Sequence, residues 1–272
     1  MFIDTHCHLN IIENKPEDAL LQERDFPLIA QVIDQAKAAG VEIIINVGTS
    51  IPESMNSMAI AKRFEHVYAT VGIHPCDCQP ERVRNVHEGV AELKKLLVTR
   101  HQHKIVAIGE IGLDFYHKPF DVARQKDFFK AQIELALEYA LPVVVHVREA
   151  GEETLRVLEE YIPNGLRGVI HCFAQNLDFA KTVSAWGFYM GIDAPIGYPK
   201  NQALRNVCTA IALDHFILET DAPFLPPQQY RGKRNYPAYI PLIAQMLAEV
   251  KSVDVAVIEE ATTANAKKLF GV

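Results

Sequence analysis

The first eight residues, Met1-Phe-Ile-Asp-Thr-His-Cys-His8, place two imidazoles at the end of a short apolar run, and the fold can be read outward from that arrangement. Histidines two apart on a strand point to the same side, so both can grip one ion. The pattern recurs along the chain. Residues 104–109 stop at Glu110, residues 142–145 at His146, residues 168–170 at His171, and residues 216–220 at Asp221. Each run is short, apolar and rich in β-branched side chains, and each ends in a ligand for borderline divalent ions. Six such groups can meet only if their strands are parallel and the sheet closes, because the carboxyl ends of the strands converge on one face of a (β/α)₈ barrel.

The stretches between these strands support closure. Strand-like runs also occupy 41–47, 67–72 and 187–191, which makes eight with the others. Helical periodicity covers 28–39, 52–64, 86–97, 120–139, 151–161, 177–185 and 203–211, with two further helical stretches near 239–250 and 254–269. Regular β/α alternation predicts a parallel sheet under helices. A Gly-x-Gly-x-x-Gly turn after the first strand, the mark of a dinucleotide site, is missing. Pro52 suits the first position of its helix, and Gly40 suits the residue just past the end of another. No linker divides the chain, so residues 1–272 are read as one α/β TIM-barrel domain. The longest irregular stretch, 222–237, is rich in Pro and basic residues and belongs to the face that carries the ligands.

Composition narrows the class. The 272 residues are 49% apolar and 22% charged, as in a globular protein with a large core. No run reaches the roughly 18 apolar residues of a membrane span. The N-terminus reads as unprocessed and the location as cytoplasmic. Five cysteines (7, 76, 78, 172 and 208) form no C-x-x-C pair, so free thiols are expected. Cys76-Asp-Cys78 lacks a second pair of ligands. Cys7 and Cys172 each neighbour a ligand histidine and are expected to turn outward, under the helices. A formal charge of −7 disfavours a broad basic surface for wrapping nucleic acid, but it does not exclude a nucleic-acid enzyme with a local basic loop.

Among single residues, Glu110 ends an apolar strand in an acid that must be exposed, paired or coordinating. Its two oxygens can bridge two cations. Asp114 is either a group that orients a ligand or a loop residue. Asp221 follows the eighth strand and so adjoins the first, where it can join His6 and His8; Glu219 is its rival. His74, in Val71-Gly-Ile-His74-Pro, faces the same mouth and is a candidate substrate contact. His66, His87, His101 and His103 stand on polar ground and read as solvated, while His117 and His215 carry no assignment.

These residues resemble the TatD-like metal-dependent hydrolases and deoxyribonucleases, within the amidohydrolase-type barrels. The likeness spans the chain. It rests on Asp4-Thr-His-Cys-His8, Gly72-Ile-His-Pro75, Gly109-Glu-Ile-Gly-Leu-Asp-Phe-Tyr116, Pro142-Val-Val-Val-His-Val-Arg148, His171-Cys-Phe173, Glu219-Thr-Asp-Ala-Pro-Phe-Leu225 and Arg231-Gly-Lys-Arg-Asn235. The resemblance implies one ion held by His6, His8, Glu110 and Asp221, and a second held by Glu110, His146 and His171. It also implies hydrolysis of phosphodiester bonds in DNA, by release of nucleotides from a single-stranded 3′ end. Where the family often continues His-Cys-Phe with Ser-Gly, this chain has Ala174-Gln175, which bears on the pocket beside His171.

The expected chemistry is a two-metal displacement by an activated water. Glu110 would bridge the ions and Asp221 would act as general base. Arg148 is a candidate phosphate clamp, and Arg231, Lys233 and Arg234 would grip neighbouring phosphates. The ligand set suits Zn²⁺ or Mn²⁺, while phosphoryl chemistry often runs on Mg²⁺. DNA is the expected partner, with no membrane and no obligate protein partner. Two other readings use the same residues: an ester or amide hydrolase, such as a deacylase acting on mischarged transfer RNA, and a non-catalytic metal-binding module.

Overall fold

A computed structural model describes residues 1–11 and 18–272. Eight strands form one sheet in the order of the sequence: β1 (Phe2–Cys7), β2 (Val41–Asn46), β3 (Val67–Val71), β4 (Ile105–Asp114), β5 (Val143–Arg148), β6 (Gly168–Ile170), β7 (Tyr189–Ile192) and β8 (Phe216–Leu218). Every neighbouring pair from β1·β2 to β7·β8 is parallel. The seam between β8 and β1 is closed beyond the end of β8. There Cys7 bridges Ala222, Asp221 N–H donates to His6 O at 2.9 Å, and His8 N–H donates to Ala222 O at 2.7 Å. The barrel is thus nearly closed, and its seam is the place where Asp221 meets His6 and His8.

Seven helices follow the first seven strands: α1 (Phe26–Ala38), α2 (Ile51–Arg63), α3 (Val86–Leu97), α4 (Val122–Glu138), α5 (Gly151–Tyr161), α6 (Leu177–Ala185) and α7 (Gln202–Ala210). Two more, α8 (Ile240–Lys251) and α9 (Val255–Phe270), come after β8. Side chains on their N-caps fix several starts: Ser50, Asn85, Asp121, Asn176 and Asp254 each accept from a backbone N–H in the first turn. Because Ser50 is the cap, Pro52 falls at the second helical position rather than the first. Gly40 follows the last turn of α1 with φ +87°, as a residue just past a helix end should. None of the described helices is long and apolar enough to cross a membrane.

Two layers of apolar packing hold the barrel. One lies between sheet and helices, around Phe128, Phe129, Phe188 and Phe216. The other fills the inside with Ile3, Ile43, Ile45, Val144, Val169, Tyr189 and Ile217, and is stoppered at the amino-terminal end by Leu269 and Phe270 of α9. Alternation along a strand then carries function to the opposite end. Val144 is followed on its face by His146, Val169 by His171, and Ile217 by Glu219 and Asp221. In β1 the pairing register shifts between Asp4 and Cys7, which lets Ile3 fill the barrel while His6 and His8 both turn inward.

The structure differs most from expectation at β4, which runs ten residues and passes Glu110 to end at Asp114. Gly112 permits this. Its φ is +141°, and a Cβ there would lie 2.1 Å from His146 O, so only glycine lets β4 and β5 run this close. Two buried glutamines of α4, seven apart and so on one face, tie down the loops after β3 and β4. Gln132 bonds both the N–H and the C=O of Ile73, at 2.7 and 3.0 Å. Gln125 does the same for Asp114, at 2.9 and 2.8 Å.

Candidate metal centre

At the carboxyl end of the barrel, the carboxylate of Glu110 sits among imidazoles. Its Oε2 lies 3.4 Å from His6 Nε2 and 3.9 Å from His8 Nε2. Its Oε1 lies 2.9 Å from His146 Nδ1 and 3.4 Å from both His171 Nε2 and His74 Nε2. Asp221 Oδ1 lies 3.4 Å from His8 Nε2 and 3.7 Å from His6 Nε2. All six residues expected as ligands therefore meet, drawn from five strands or strand ends.

The spacing fits a divalent ion. Donors at about 2.0–2.2 Å from a tetrahedral ion stand about 3.4 Å from one another. The distances among His6, His8 and Asp221 straddle that value, at 3.1 Å between the two imidazole Nε2 atoms and 3.4 and 3.7 Å to Asp221 Oδ1, and these three form one group of donors. Glu110 Oε2 stands beside it, 3.4 and 3.9 Å from the two rings. His8 Nδ1 donates to Val47 O at 3.2 Å, so in the neutral ring it is Nε2 that offers a lone pair to a cation. Around the other oxygen of Glu110 the donors divide. His171 groups with His6 and Glu110, while His146 groups with His74 and Glu110. The ring centroids of His146 and His171 are 6.1 Å apart, and both rings approach Glu110 Oε1.

Charges inside this cluster compensate one another. Burial opposes ionisation of Glu110, but His171, His74, His146 and His6 outweigh it and hold its carboxyl well below the usual range. Burial likewise opposes the charge of Asp221, and the hydrogen bond from His8, with His171 and His6 nearby, lowers its pKa. Burial disfavours a charged His171, yet Glu110 and Glu219 raise it to about 10. In His6 burial prevails, reinforced by His171, and the pKa falls. Deprotonated acids and histidines that surrender a proton are what a metal site requires.

The surroundings settle several roles that sequence left open. Asp114 is fully buried, and its Oδ2 accepts from His146 Nε2 at 3.0 Å, so it orients that ring and leaves Nδ1 to face Glu110. Glu219, a rival to Asp221 as ligand, instead accepts from His171 Nδ1 at 3.0 Å and from Cys172 N–H at 2.5 Å. Its carboxylate rests where a Cβ on Gly191 would be 2.1 Å away. That role was missed in the sequence, although Ile217, Glu219 and Asp221 share a strand face. Asp4 fastens the seam by accepting from Thr220 N–H and Oγ1–H, at 3.0 and 2.6 Å. His74 Nδ1 accepts from Cys76 N–H at 3.1 Å, so in the neutral ring Nε2 carries the hydrogen and donates towards Glu110.

The residues expected to meet substrate stand around the mouth. Arg148 lines a cavity of about 290 Å³ with Cys172, Phe173, Ala174, Gln175 and Tyr198 among others, and its guanidinium lies 4.7 Å from the Tyr116 ring. The two residues that depart from the family pattern, Ala174 and Gln175, thus shape the wall beside His171. Cys172 is not tucked under the helices as expected. With φ +44°, it turns its Sγ to Asp193 Oδ2 at 3.1 Å, whereas Cys7 does pack in the outer core. The loop 222–237 is folded back by buried Asn235, which donates to Thr220 O and Phe224 O at 2.6 and 2.7 Å. Arg231 and Lys233 are exposed, with Arg231 4.7 Å from the Tyr198 ring, while Arg234 is half-buried.

Comparison with known proteins agrees with this geometry. The family described as TatD-related DNase matches residues 3–271. An uncharacterized metal-dependent hydrolase of Bacillus subtilis, YabD, is 36% identical over 99% of either chain. The 3′-5′ ssDNA/RNA exonuclease TatD of Cronobacter sakazakii is 35% identical over 88% of this chain and 90% of its own. Among solved structures, the TatD homologue YJJV of Escherichia coli superposes with a TM-score of 0.87 at 29% identity, over 100% of this chain and 98% of that one. A barrel whose strand ends deliver histidines and carboxylates to one point, matched end to end by this family, makes the chain a metal-dependent hydrolase that belongs to the TatD-related DNase family.

Proposed function

We propose that the protein is a deoxyribonuclease that removes nucleotides from the 3′ end of single-stranded DNA, with two divalent ions held by His6, His8, Glu110 and Asp221 and by Glu110, His146 and His171. The observation that carries this reading is the position of Glu110. One of its oxygens faces His6 and His8 while the other faces His146 and His171, all within 3.9 Å. Two ions bound there would supply the positive charge that activates a water and offsets charge on the attacking and leaving oxygens. Asp221 is held ionised by its histidines and is the less enclosed of the two carboxylates, with 13% of its side chain exposed against 5% for Glu110. In this reading it accepts the proton of the attacking water. His74 holds Glu110 from the side through Nε2–H. Arg148, then Arg231 and Lys233, offer guanidinium and ammonium groups to successive phosphates. Tyr198, half-buried in the wall of the neighbouring cavity, offers an aromatic surface to a base.

Relatives named as single-stranded DNA and RNA exonucleases support the substrate class. The test is release of mononucleotides from a 3′-labelled single-stranded oligonucleotide, with and without chelator. Metal-dependent loss of the 3′ label is the expected result. A protein that leaves the oligonucleotide intact but cleaves aminoacyl esters would instead be a deacylase on the same site.

A further inference from the structure

The loops that leave β3 and β4 bring together a set of donors outside the centre described above. Cys76, Asp114 and His117 each offer one ligand atom, and the three atoms lie within 4.8 Å of one another. Cys76 comes from the turn after β3, in which Asp77 N–H donates to His74 O at 2.8 Å. Asp114 ends β4, and its Oδ1 accepts from Tyr116 N–H and His117 N–H at 2.9 and 2.8 Å, which curls the chain and brings the His117 ring back over the carboxylate. His117 Nδ1 then lies 2.8 Å from Asp114 Oδ2. Gln132 and Gln125 of α4 anchor both loops, so the three donors stand on fixed backbone.

We propose that Cys76, Asp114 and His117 form a further metal site at the rim of the barrel mouth, selective for zinc and open to water at its fourth position. A thiolate, an imidazole and a carboxylate are a zinc set, since sulfur disfavours Mg²⁺ and Mn²⁺ relative to zinc. The central site, built only of imidazole and carboxylate, carries no such preference. Three protein donors plus water is the ordinary complement of an open zinc site. His117 is 60% exposed and can swing to complete the geometry, while Asp114 is fully enclosed and supplies the fixed donor. Burial is the main reason a bare thiolate is disfavoured at Cys76, and the carboxylates of Asp114, Asp77 and Glu110 add a negative potential that favours a cation there.

The rim site is wired to the centre. Asp114 Oδ2 is the same atom that accepts from His146 Nε2, at 3.0 Å, and Cys76 N–H is the donor that fixes His74. An ion drawn to Cys76 and His117 therefore competes for the oxygen that orients His146. Zinc in excess at the rim should weaken the hold on that ring.

The experiment compares zinc content per folded chain after equilibration with zinc, in wild type, Cys76→Ser, His117→Ala and Cys172→Ser. Cys76→Ser and His117→Ala should each lose one ion relative to wild type, and Cys172→Ser none. Read as a difference between variants, the result does not depend on how many ions the central site holds. Loading with Co²⁺ adds a second readout, because thiolate coordination gives a sulfur-to-cobalt charge-transfer band in the near ultraviolet. The band should vanish in Cys76→Ser and persist in Cys172→Ser. Circular dichroism establishes that each variant is folded, and the exposed position of His117 protects that variant if Cys76→Ser fails. Equal zinc content in wild type and His117→Ala, or a thiolate band that survives loss of Cys76, would overturn the proposal.

Discussion

Replacing Glu219 by Gln keeps volume and an acceptor oxygen but removes the charge behind His171. Glu219 is 1% exposed, accepts from His171 Nδ1 at 3.0 Å and from Cys172 N–H, and helps to raise His171. A carboxylate in this position fixes the tautomer of a ligand histidine and increases its basicity, and loss of such a partner costs about 10–100-fold in metal affinity. That is about 1.4–2.7 kcal/mol, confined to the ion that His171 would hold in the proposed centre. The assay is competition with a chromophoric chelator on metal-free Glu219→Gln and wild type, followed by titration of the His171 ring by NMR. Affinity should fall in one step of the isotherm only, and His171 should titrate lower than in wild type. Unchanged affinity together with unchanged titration would refute the assignment of Glu219 as the group that orients His171.

The basic loop gives a second expectation: Arg231→Ala with Lys233→Ala should leave metal content intact, weaken oligonucleotide binding and reduce the salt slope by about 0.7 per lost phosphate contact on a single strand, as measured by binding between low and moderate salt. Gln132→Ala should cost at least about 2 kcal/mol in urea unfolding, because it leaves both the N–H and the C=O of buried Ile73 without a side-chain partner. Proton linkage supplies the pH dependence. His171 in the metal-free fold is raised to about 10, against 6.5 ordinarily, so metal uptake near pH 8 should release a proton, read by calorimetry in two buffers of different ionisation enthalpy. By the same shift, the stability that His171 contributes is complete below pH 6.5 and is lost as pH climbs through about 10, where the folded state gives up a proton that the unfolded chain has already lost; thermal melts of the metal-free protein across that window check it.

Much of the barrel was legible because a strand of period two and a helix of period 3.6 leave different apolar patterns, and because every candidate ligand closes a short strand-like run. The TM-score of 0.87 to a TatD homologue bears out the fold. The convergence of His6, His8, Glu110, His146, His171 and Asp221 followed from strand-end position alone. What was hidden depends on geometry that periodicity does not carry. The register shift in β1 and the extension of β4 past Glu110 arise from contacts between strands, with Gly112 admitting an approach that no local pattern announces. Glu219 and Asp114 were visible as acids near the site, but only the direction of their carboxylates towards His171 and His146 gives them a role. Cys172 escaped the outward turn expected of a strand residue because its left-handed backbone ends the strand before the alternation can continue. The gathering of Cys76 with Asp114 and His117 joins loops 38 positions apart in the chain, and no spacing rule connects them.

The most direct test of the account is Glu110→Gln, assayed for ions bound per chain and for turnover on a 3′-labelled single-stranded oligonucleotide. The variant keeps the size of the side chain and loses the charge that faces His6 and His8 on one oxygen and His146 and His171 on the other. Turnover should fall at least about a hundredfold, the scale of losing a principal electrostatic stabiliser, and the ion count should drop. Wild-type turnover with an undiminished ion count would contradict the claim that Glu110 joins the two halves of the centre.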